Sequence, residues 1–236
     1  MSVLEVQHLV KSFGALRAVD DVSISLQQGD NLAIIGESGC GKTTFAKMIM
    51  GLIAPDAGSI KAEAMSVQMV FQDPNQSLDP LWNVRSILKE AFWRNRSLTE
   101  HKIEEQMEQI LSAVGLSPLI LQRFPHEFSG GERQRIAIAR ALLASPKVLV
   151  LDEAVSALDT LVQKQIMDLL RKLKQDFDLT YIFISHNLRL VRNFSDHLVV
   201  MDRGKIVETG PVQTILQSPA HPYTQQLLQA ALYTNL

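Results

Sequence analysis

Residues 36–43, with the sequence GESGCGKT, form the feature that most restricts what this chain can fold into. Their pattern is G-x-x-x-x-G-K-[ST], a loop that binds phosphate groups. The apolar residues 32–35 before the loop predict a buried strand, and residues 45–50 after it predict a helix. A glycine-rich turn with a chance lysine is the alternative. The flanking strand and helix argue against it, because they are the context that the motif requires.

The residue types of this loop predict how it holds a nucleotide. Its glycines let the backbone curl until successive N–H groups point at one anion, and the following helix adds its positive end. We expect Lys42 to reach the β- and γ-phosphates and the Thr43 hydroxyl to bind Mg²⁺. The predicted ATP contacts in the loop are Gly36, Glu37, Ser38, Gly39, Cys40, Gly41, Lys42, Thr43 and Thr44.

Charge and composition restrict the partners of the chain. Lys and Arg number 23 against 25 Asp and Glu, so no basic surplus favours nucleic acid. No apolar run approaches the roughly 18 residues of a membrane helix, and the N-terminus lacks a signal-peptide pattern. The single cysteine, Cys40, excludes an internal disulfide and fits a reducing cytosol. The sequence predicts an intracellular chain that reaches a membrane only through a partner.

The remaining pattern predicts an α/β chain with a helical insertion. Residues 4–9 and 22–26 alternate as antiparallel strands do, with a turn at residues 11–14 between them. Phe13 in that turn is either a core residue, which periodicity alone favours, or a platform for a base. Residues 81–121 have helical spacing, and Ser97 with Glu100 predicts a capping box before one helix. Three aromatic residues of this region are predicted to form its core or a docking face: Trp82, Phe92 and Trp93.

A second anion-binding helix end is predicted at residues 128–135, FSGGERQR. Ser129, Gly130 and Gly131 would offer free N–H groups, a hydroxyl and the positive end of a helix that runs to about residue 144. Taken alone, this pattern is usually only a helix cap. In a chain that already has a phosphate loop, it suggests a second phosphate site.

Acidic and histidine side chains follow two buried strands. Residues 148–151 are apolar throughout and end in Asp152 and Glu153, as expected at the carboxyl end of a central parallel strand. Asp152 suits Mg²⁺, and Glu153 is placed to accept a proton from water that attacks the γ-phosphate. Helix-capping acids are the alternative. His186 follows the strand at residues 181–184 and would lie near the γ-phosphate.

These motifs, in this order, resemble the nucleotide-binding subunits of ABC transporters over nearly the whole chain. Residues 36–43 resemble the Walker A motif, residues 128–132 the signature motif, residues 148–152 the Walker B motif and residues 156–159 the D-loop. The resemblance implies catalytic roles for Glu153, His186 and the Q-loop residue Gln72. It implies Mg²⁺ ligands at Thr43, Gln72 and Asp152. It adds these residues to the ATP contacts: Phe13, Ser129, Gly130, Gly131 and Asp159.

The same resemblance implies the fold and the partners. We expect an α/β P-loop NTPase (RecA-like) core with an antiparallel β subdomain and an α-helical insertion. In this single domain, residues 1–72 and 146–236 would form the core and residues 73–145 the helical subdomain with the signature motif. A second ABC ATPase, a sister subunit or another copy, would complete a sandwich dimer. Two integral membrane permease subunits, and indirectly an extracytoplasmic solute-binding protein, would join it at the cytoplasmic face of the membrane, where the chain is peripheral.

Two further segments resemble one branch of that family. Residues 71–80, FQDPNQSLDP, and 221–228, HPYTQQLL, are similar to oligopeptide, dipeptide and nickel importers. Residues 152–156 and 206–209 favour nickel or metallophore members. The expected function is ATP-driven, Mg²⁺-dependent import of a nickel ion, metal chelate or peptide. A soluble ABC-type ATPase that acts on nucleic acid or ribosomes, and an ordinary P-loop kinase, remain as alternatives.

The signature motif departs from the family pattern at both ends. Phe128 and Glu132 stand where leucine and glutamine are usual. A negative charge at residue 132 would disfavour a neighbouring phosphate, so we expect a reduced affinity for the γ-phosphate at this helix end.

Overall fold

The computed structural model describes residues 2–62, 66–73, 77–93 and 98–233. Strands β1–β9 span Ser2–Phe13, Leu16–Gln27, Asn31–Ile35, Ala57–Ala62, Val67–Val70, Val148–Asp152, Thr180–Ile184, His197–Asp202 and Lys205–Pro211. Helices α1–α8 span Lys42–Ile49, Val84–Lys89, Glu100–Ala113, Gly130–Leu143, Thr160–Phe177, Leu188–Phe194, Val212–Gln217 and Pro222–Tyr233. Short 3₁₀ helices span Glu90–Phe92, Pro118–Gln122 and Pro125–Glu127.

The larger sheet has six strands in the order β5-β6-β7-β3-β8-β9. Its first five strands are parallel, and β9 pairs antiparallel with β8 through the turn at Arg203 and Gly204. Every residue of β3, β6 and β7 is buried. Burial on both faces explains why these strands are almost continuously apolar rather than alternating.

The smaller sheet is antiparallel, in the order β2-β1-β4, as the alternating pattern predicts. Its first two strands are longer than expected, because pairing continues to Phe13 opposite Leu16. The predicted turn at residues 11–14 is therefore wrong, and the chain turns at Gly14 and Ala15 instead. Phe13 lies at this hairpin tip and is 49% exposed, so the core interpretation of this residue is also wrong.

Two apolar cores lie on opposite faces of the six-stranded sheet. Alternate residues of one strand divide between them: Ala33 and Ile35 face the core shared with α2–α7, while Leu32 and Ile34 face β1, β2 and α1. The antiparallel sheet and α1 thus cover one face, and α2–α7 cover the other. This layering follows from period-2 side-chain alternation on a sheet buried on both sides.

The helical region differs in detail from its prediction. Helix α3 is capped by Thr99, whose hydroxyl accepts the Lys102 N–H, and the predicted cap Ser97 lies outside the described residues. Phe92 is buried, whereas Trp82 and Trp93 are 43% and 74% exposed. Among the described residues, no helix is both long and apolar enough to cross a membrane.

We expect Tyr181→Phe to lower stability without changing the loop at residues 36–43. The Tyr181 hydroxyl donates to the Leu170 carbonyl at 2.9 Å, and both groups are buried. A lost hydrogen bond of this kind costs about 1 kcal/mol, or about 2–4 °C in the melting temperature of a domain of this size. Thermal denaturation measures the change. A melting temperature at or above that of the parent chain would contradict the prediction.

Candidate functional site

Glycine is required at two positions of the loop between β3 and α1. Gly36 and Gly41 have φ values of 152° and 111°. A Cβ atom at Gly36 would lie 2.2 Å from the Met201 carbonyl oxygen, and one at Gly41 would lie 2.2 Å from that of Ala18. Backbone atoms cannot move aside as the end of a side chain can, so neither position accepts another residue without displacing a strand.

The Lys42 side chain is held inside this loop. Its Nζ donates to the Gly36 and Glu37 carbonyl oxygens, both at 2.8 Å, and lies 3.6 Å from the Cys40 sulfur. Both Lys42 and Cys40 are buried. The positive charge is therefore positioned by the backbone of the loop before any substrate contributes a contact.

Residues 37–39 of the loop are exposed, and α1 begins at Lys42. The first N–H groups of a helix have no partner within the helix, and its N-terminal end is positive. This end of α1 and the exposed loop before it therefore form a surface suited to an anion. Thr44 follows in the first turn of the helix.

A cavity beside the loop is lined by oxygen-bearing side chains together with Lys47 and Arg140. The Thr43 hydroxyl donates to Asp152 Oδ2 at 3.2 Å, and Gln72 lines the same cavity. Burial raises the pKa of Asp152, and the negative charge of Glu153 adds to that rise. The Thr43 hydrogen bond and the positive charges of Lys42 and Lys47 oppose it without cancelling it. A cation would relieve this unfavourable burial of charge. A hydroxyl, a carboxylate and an amide oxygen are hard donors that fit Mg²⁺, which takes few protein ligands beside phosphates.

Glu153 and His186 meet at the ends of neighbouring strands. The His186 Nδ1 atom lies 3.4 Å from Glu153 Oε1. Glu153 is in the left-handed region, at a φ of 48°, and its N–H donates to the Ile184 carbonyl at 2.9 Å. Left-handed backbone in a non-glycine residue is strained, and such strain clusters at functional sites. Here the strained turn directs the carboxylate toward the histidine.

The second predicted anion site is a reciprocal capping box. Ser129 N–H and Oγ both donate to Glu132 Oε2, at 2.9 and 2.7 Å, and the Glu132 N–H donates back to Oγ at 3.4 Å. The hydrogen bonds from Ser129 lower the pKa of Glu132, so its carboxylate stays ionised. Glu132 therefore holds the hydroxyl that would face a phosphate, an effect beyond the charge repulsion that the sequence suggests.

The bulky residue that begins this motif is explained by packing. Phe128 is buried, and the Arg123 guanidinium lies 4.5 Å from its ring centroid. A cation over an aromatic face is favourable, and leucine at this position would not provide it.

The structure brings only some of the predicted residues together. Among the described residues, those that line the cavity with Thr43, Gln72 and Asp152 do not include Ser129, Gly130 or Gly131. These three stand at the surface end of α4, where Gly131 packs against Val162 of α5. Two other predicted ATP contacts do not line that cavity: Phe13 at the hairpin tip, and Asp159, whose carboxylate caps α5 by accepting the Leu161 and Val162 N–H groups.

One contact with the loop was missed by sequence reasoning. The Tyr223 hydroxyl accepts the Glu37 N–H at 3.0 Å. His221 caps α8: its Nδ1 accepts the Tyr223 N–H at 3.2 Å. The segment HPYTQQLL was noticed only as a family marker, and no local pattern indicated that it would meet a loop nearly 190 residues earlier.

Comparison with known proteins identifies the class that this fold and site define. A family model described as "ABC transporter" matches residues 19–156, which is more than half of the chain. The chain therefore belongs to the ABC transporter family, as an ATP-binding subunit that hydrolyses ATP. A second model, "Oligopeptide/dipeptide transporter, C-terminal region", matches residues 207–235 and assigns the chain to that branch.

Relatives along nearly the whole chain agree with this assignment. AppF of Bacillus subtilis, an oligopeptide transport ATP-binding protein, is 43% identical over 95% of this chain and 73% of its own length. DdpF of Escherichia coli, a probable D,D-dipeptide transport ATP-binding protein, is 45% identical over 94% of this chain and 73% of its own length.

Solved structures confirm the predicted fold class. The ADP conformation of MJ1267, an ATP-binding cassette of an ABC transporter, has a TM-score of 0.81 at 27% identity, covering 96% of this chain and 98% of that one. CbiO1 from Clostridium perfringens has a TM-score of 0.82 at 24% identity, covering 100% and 99%, and supports the fold alone.

We expect Gly41→Ala to destabilise the nucleotide-free chain far more than Gly39→Ala. Both positions have positive φ, so both variants carry roughly 1–2 kcal/mol of left-handed strain. Only the Cβ at residue 41 also meets a backbone oxygen at 2.2 Å, whereas the one at residue 39 has open space. Urea denaturation of the two variants, side by side, measures the difference. Equal losses of unfolding free energy would contradict the steric argument.

Proposed function

We propose that this chain hydrolyses ATP to drive the import of di- or oligopeptides through separate membrane subunits. The observation that carries the proposal is the meeting of Glu153 with His186 beside the Thr43–Asp152 pair, next to the phosphate loop. The peptide substrate is supported by the C-terminal family match and by the names of AppF and DdpF. Nickel or metallophore import finds no support in those names.

The chain's own residues supply the parts that hydrolysis needs. Glu153 accepts the proton of the attacking water, and His186 orients its carboxylate. Lys42 and the N–H groups in the first turn of α1 balance the charge of the transferred phosphoryl group. Mg²⁺, when bound by Thr43, Asp152 and Gln72, supplies further neutralisation of phosphate charge. The Phe13 ring, exposed at its hairpin tip, offers a stacking surface for adenine.

The chain needs a second ATPase subunit to complete each site. Ser129, Gly130 and Gly131 present a helix N-terminus on the surface, outside the cavity formed by Thr43, Gln72 and Asp152. In a sandwich dimer, this end and Asp159 of one subunit would close over ATP on the loop of the other. The second subunit is a sister ATPase or another copy of this chain.

The proposed docking surface for the membrane subunits is a groove between the sheet and the helical region. Leu52, Phe71 and Trp93 line it, and Leu52 and Trp93 are largely exposed. Phe71 and Arg140 line both this groove and the cavity that contains Gln72, so a shift in one can reach the other. We propose that residues of the permease subunits bind in this groove, because the chain belongs to a family of membrane transporters.

In the proposed complex with a second ATPase and the permeases, each part of the chain has a distinct role. The core formed by residues 1–72 and 146–236 would bind ATP, and residues 73–145 would carry the docking and signature surfaces. The chain would lie at the cytoplasmic face of the membrane as a peripheral subunit. An extracytoplasmic binding protein would deliver the solute to the permeases and would not contact this chain.

Glu153→Gln tests the assigned base. The amide keeps the shape of the side chain but cannot accept the proton, so we expect hydrolysis to fall by about 10²–10⁴-fold while ATP binding persists. ATP should then hold the two subunits together, which light scattering detects as a stable dimer. Glu105→Gln, the same change at an exposed residue of α3, is the control and should hydrolyse ATP normally. Fast hydrolysis by Glu153→Gln would refute the assignment.

Trp93→Ser tests the membrane partners. When the chain is co-expressed with candidate permease subunits, we expect it to co-purify with them in detergent. The substitution removes the most exposed aromatic side chain of the groove and should abolish co-purification while leaving ATP binding intact. Leu119→Ser, at an apolar residue 90% exposed outside the groove, is the control and should co-purify normally. Recovery of RNA, DNA or ribosomes in place of permeases would favour the soluble alternative.

A further inference from the structure

The first turn of α8 contacts the entrance of the phosphate loop. Tyr223 Oη accepts the N–H of Glu37 at 3.0 Å, across a large separation in sequence. The tyrosine is half-buried, and this burial raises the pKa of its hydroxyl, which therefore stays neutral near pH 7. The Tyr223 hydroxyl thus accepts one backbone N–H of the loop. Because it is neutral, it does not attract the positive charge of Lys42 as a phosphate would.

The peptide group between Gly36 and Glu37 is bound on both sides. Its carbonyl oxygen, that of Gly36, accepts Lys42 Nζ at 2.8 Å, while its N–H, that of Glu37, donates to Tyr223. This peptide plane turns through ψ of Gly36 and φ of Glu37, and glycine restricts its ψ little because it has no Cβ. Rotation of this peptide would take the carbonyl away from the lysine. The tyrosine opposes that rotation.

The tyrosine itself is fixed to the main sheet. Glu208 of β9 accepts the Ala220 and His221 N–H groups, at 2.8 and 3.1 Å. The ring of His221 then accepts the Tyr223 N–H, and the backbone carbonyl of His221 accepts the Gln225 N–H at 3.1 Å. Histidine as the cap and Pro222 as the first helical residue start α8 at a defined place. The sequence His-Pro-Tyr therefore aims the tyrosine at the loop.

We propose that Tyr223 is a positioning residue for Lys42, acting through the Gly36–Glu37 peptide. The C-terminal region matched by the oligopeptide/dipeptide family model is then part of the nucleotide site. ATP affinity depends on the position of α8, and ATP binding in turn stabilises α8, because coupling between two sites is reciprocal. The inference rests on the proposed function only in taking ATP as the ligand.

Tyr223→Phe removes the hydroxyl and keeps the ring. We expect ATP to bind about two- to tenfold more weakly, the range that corresponds to one net hydrogen bond. In the nucleotide-free protein, iodoacetamide should alkylate Cys40 faster by a similar factor. Cys40 is buried in this loop, and its N–H donates to the Glu37 carbonyl at 3.2 Å, so its alkylation reports opening of the loop. Alkylation at the parent rate would overturn the proposal, whatever happens to ATP binding.

Two control pairs separate positioning from general destabilisation. Tyr181→Phe removes a comparable hydroxyl–carbonyl bond away from the loop and should change neither Cys40 alkylation nor ATP affinity at temperatures well below unfolding. His221→Ala removes the cap and should behave as Tyr223→Phe does. His221→Asn, with a side chain suited to capping, should restore both readouts. Equal effects of Tyr181→Phe and Tyr223→Phe would overturn the proposal.

The alkylation readout needs no nucleotide. If Tyr223→Phe accelerates Cys40 alkylation but no variant binds or hydrolyses ATP, the proposed function fails and the positioning role stands. If the parent chain hydrolyses ATP and Tyr223→Phe leaves the loop unchanged, the positioning role alone fails.

Discussion

Parallel hydrogen bonding among β6, β7 and β3 places the functional groups of this protein side by side. Because the three strands run in the same direction and are adjacent in the sheet, their carboxyl ends meet at one edge. The phosphate loop, the pair Asp152 and Glu153, and His186 all follow those ends. A register shift of one residue would move every side chain of a strand to the other face and would separate Thr43 from Asp152. Ala33 and Ile35 are packed in one core and Leu32 and Ile34 in the other, so such a shift would misfit the close packing of both.

Charge at this edge is balanced by neighbouring groups rather than by solvent. Lys42 is held by two backbone carbonyls, and the buried Asp152 accepts a hydrogen bond from Thr43. The signature helix uses the same principle with opposite charge, since Glu132 is ionised and bound to Ser129. A phosphate that approaches Ser129 must displace a carboxylate from its hydroxyl. The two half-sites that we propose for the chain would therefore differ: one presents a positive charge, and the other is closed by a negative one.

The sequence predicted much of this arrangement because its signals are local. The loop glycines, the fully apolar strands and the acids that follow β6 each depend on residues close in the chain. The expectations that failed concerned where strands and helices begin and end. The strand pairing that continues to Phe13 depends on a cross-strand partner, and the cap of α3 is Thr99 because the helix begins at Glu100, later than the Ser97–Glu100 pattern predicts.

Composition and local pattern by themselves determined the class of fold, the phosphate loop and the residues that follow the parallel strands, since backbone conformation and burial are encoded within a few residues. Only the tertiary structure decided which distant groups meet. The contact of Tyr223 with Glu37 and the approach of His186 to Glu153 join elements that are remote in sequence or lie on different strands. Such contacts depend on how the layers pack around the sheet, and no short segment carries that information.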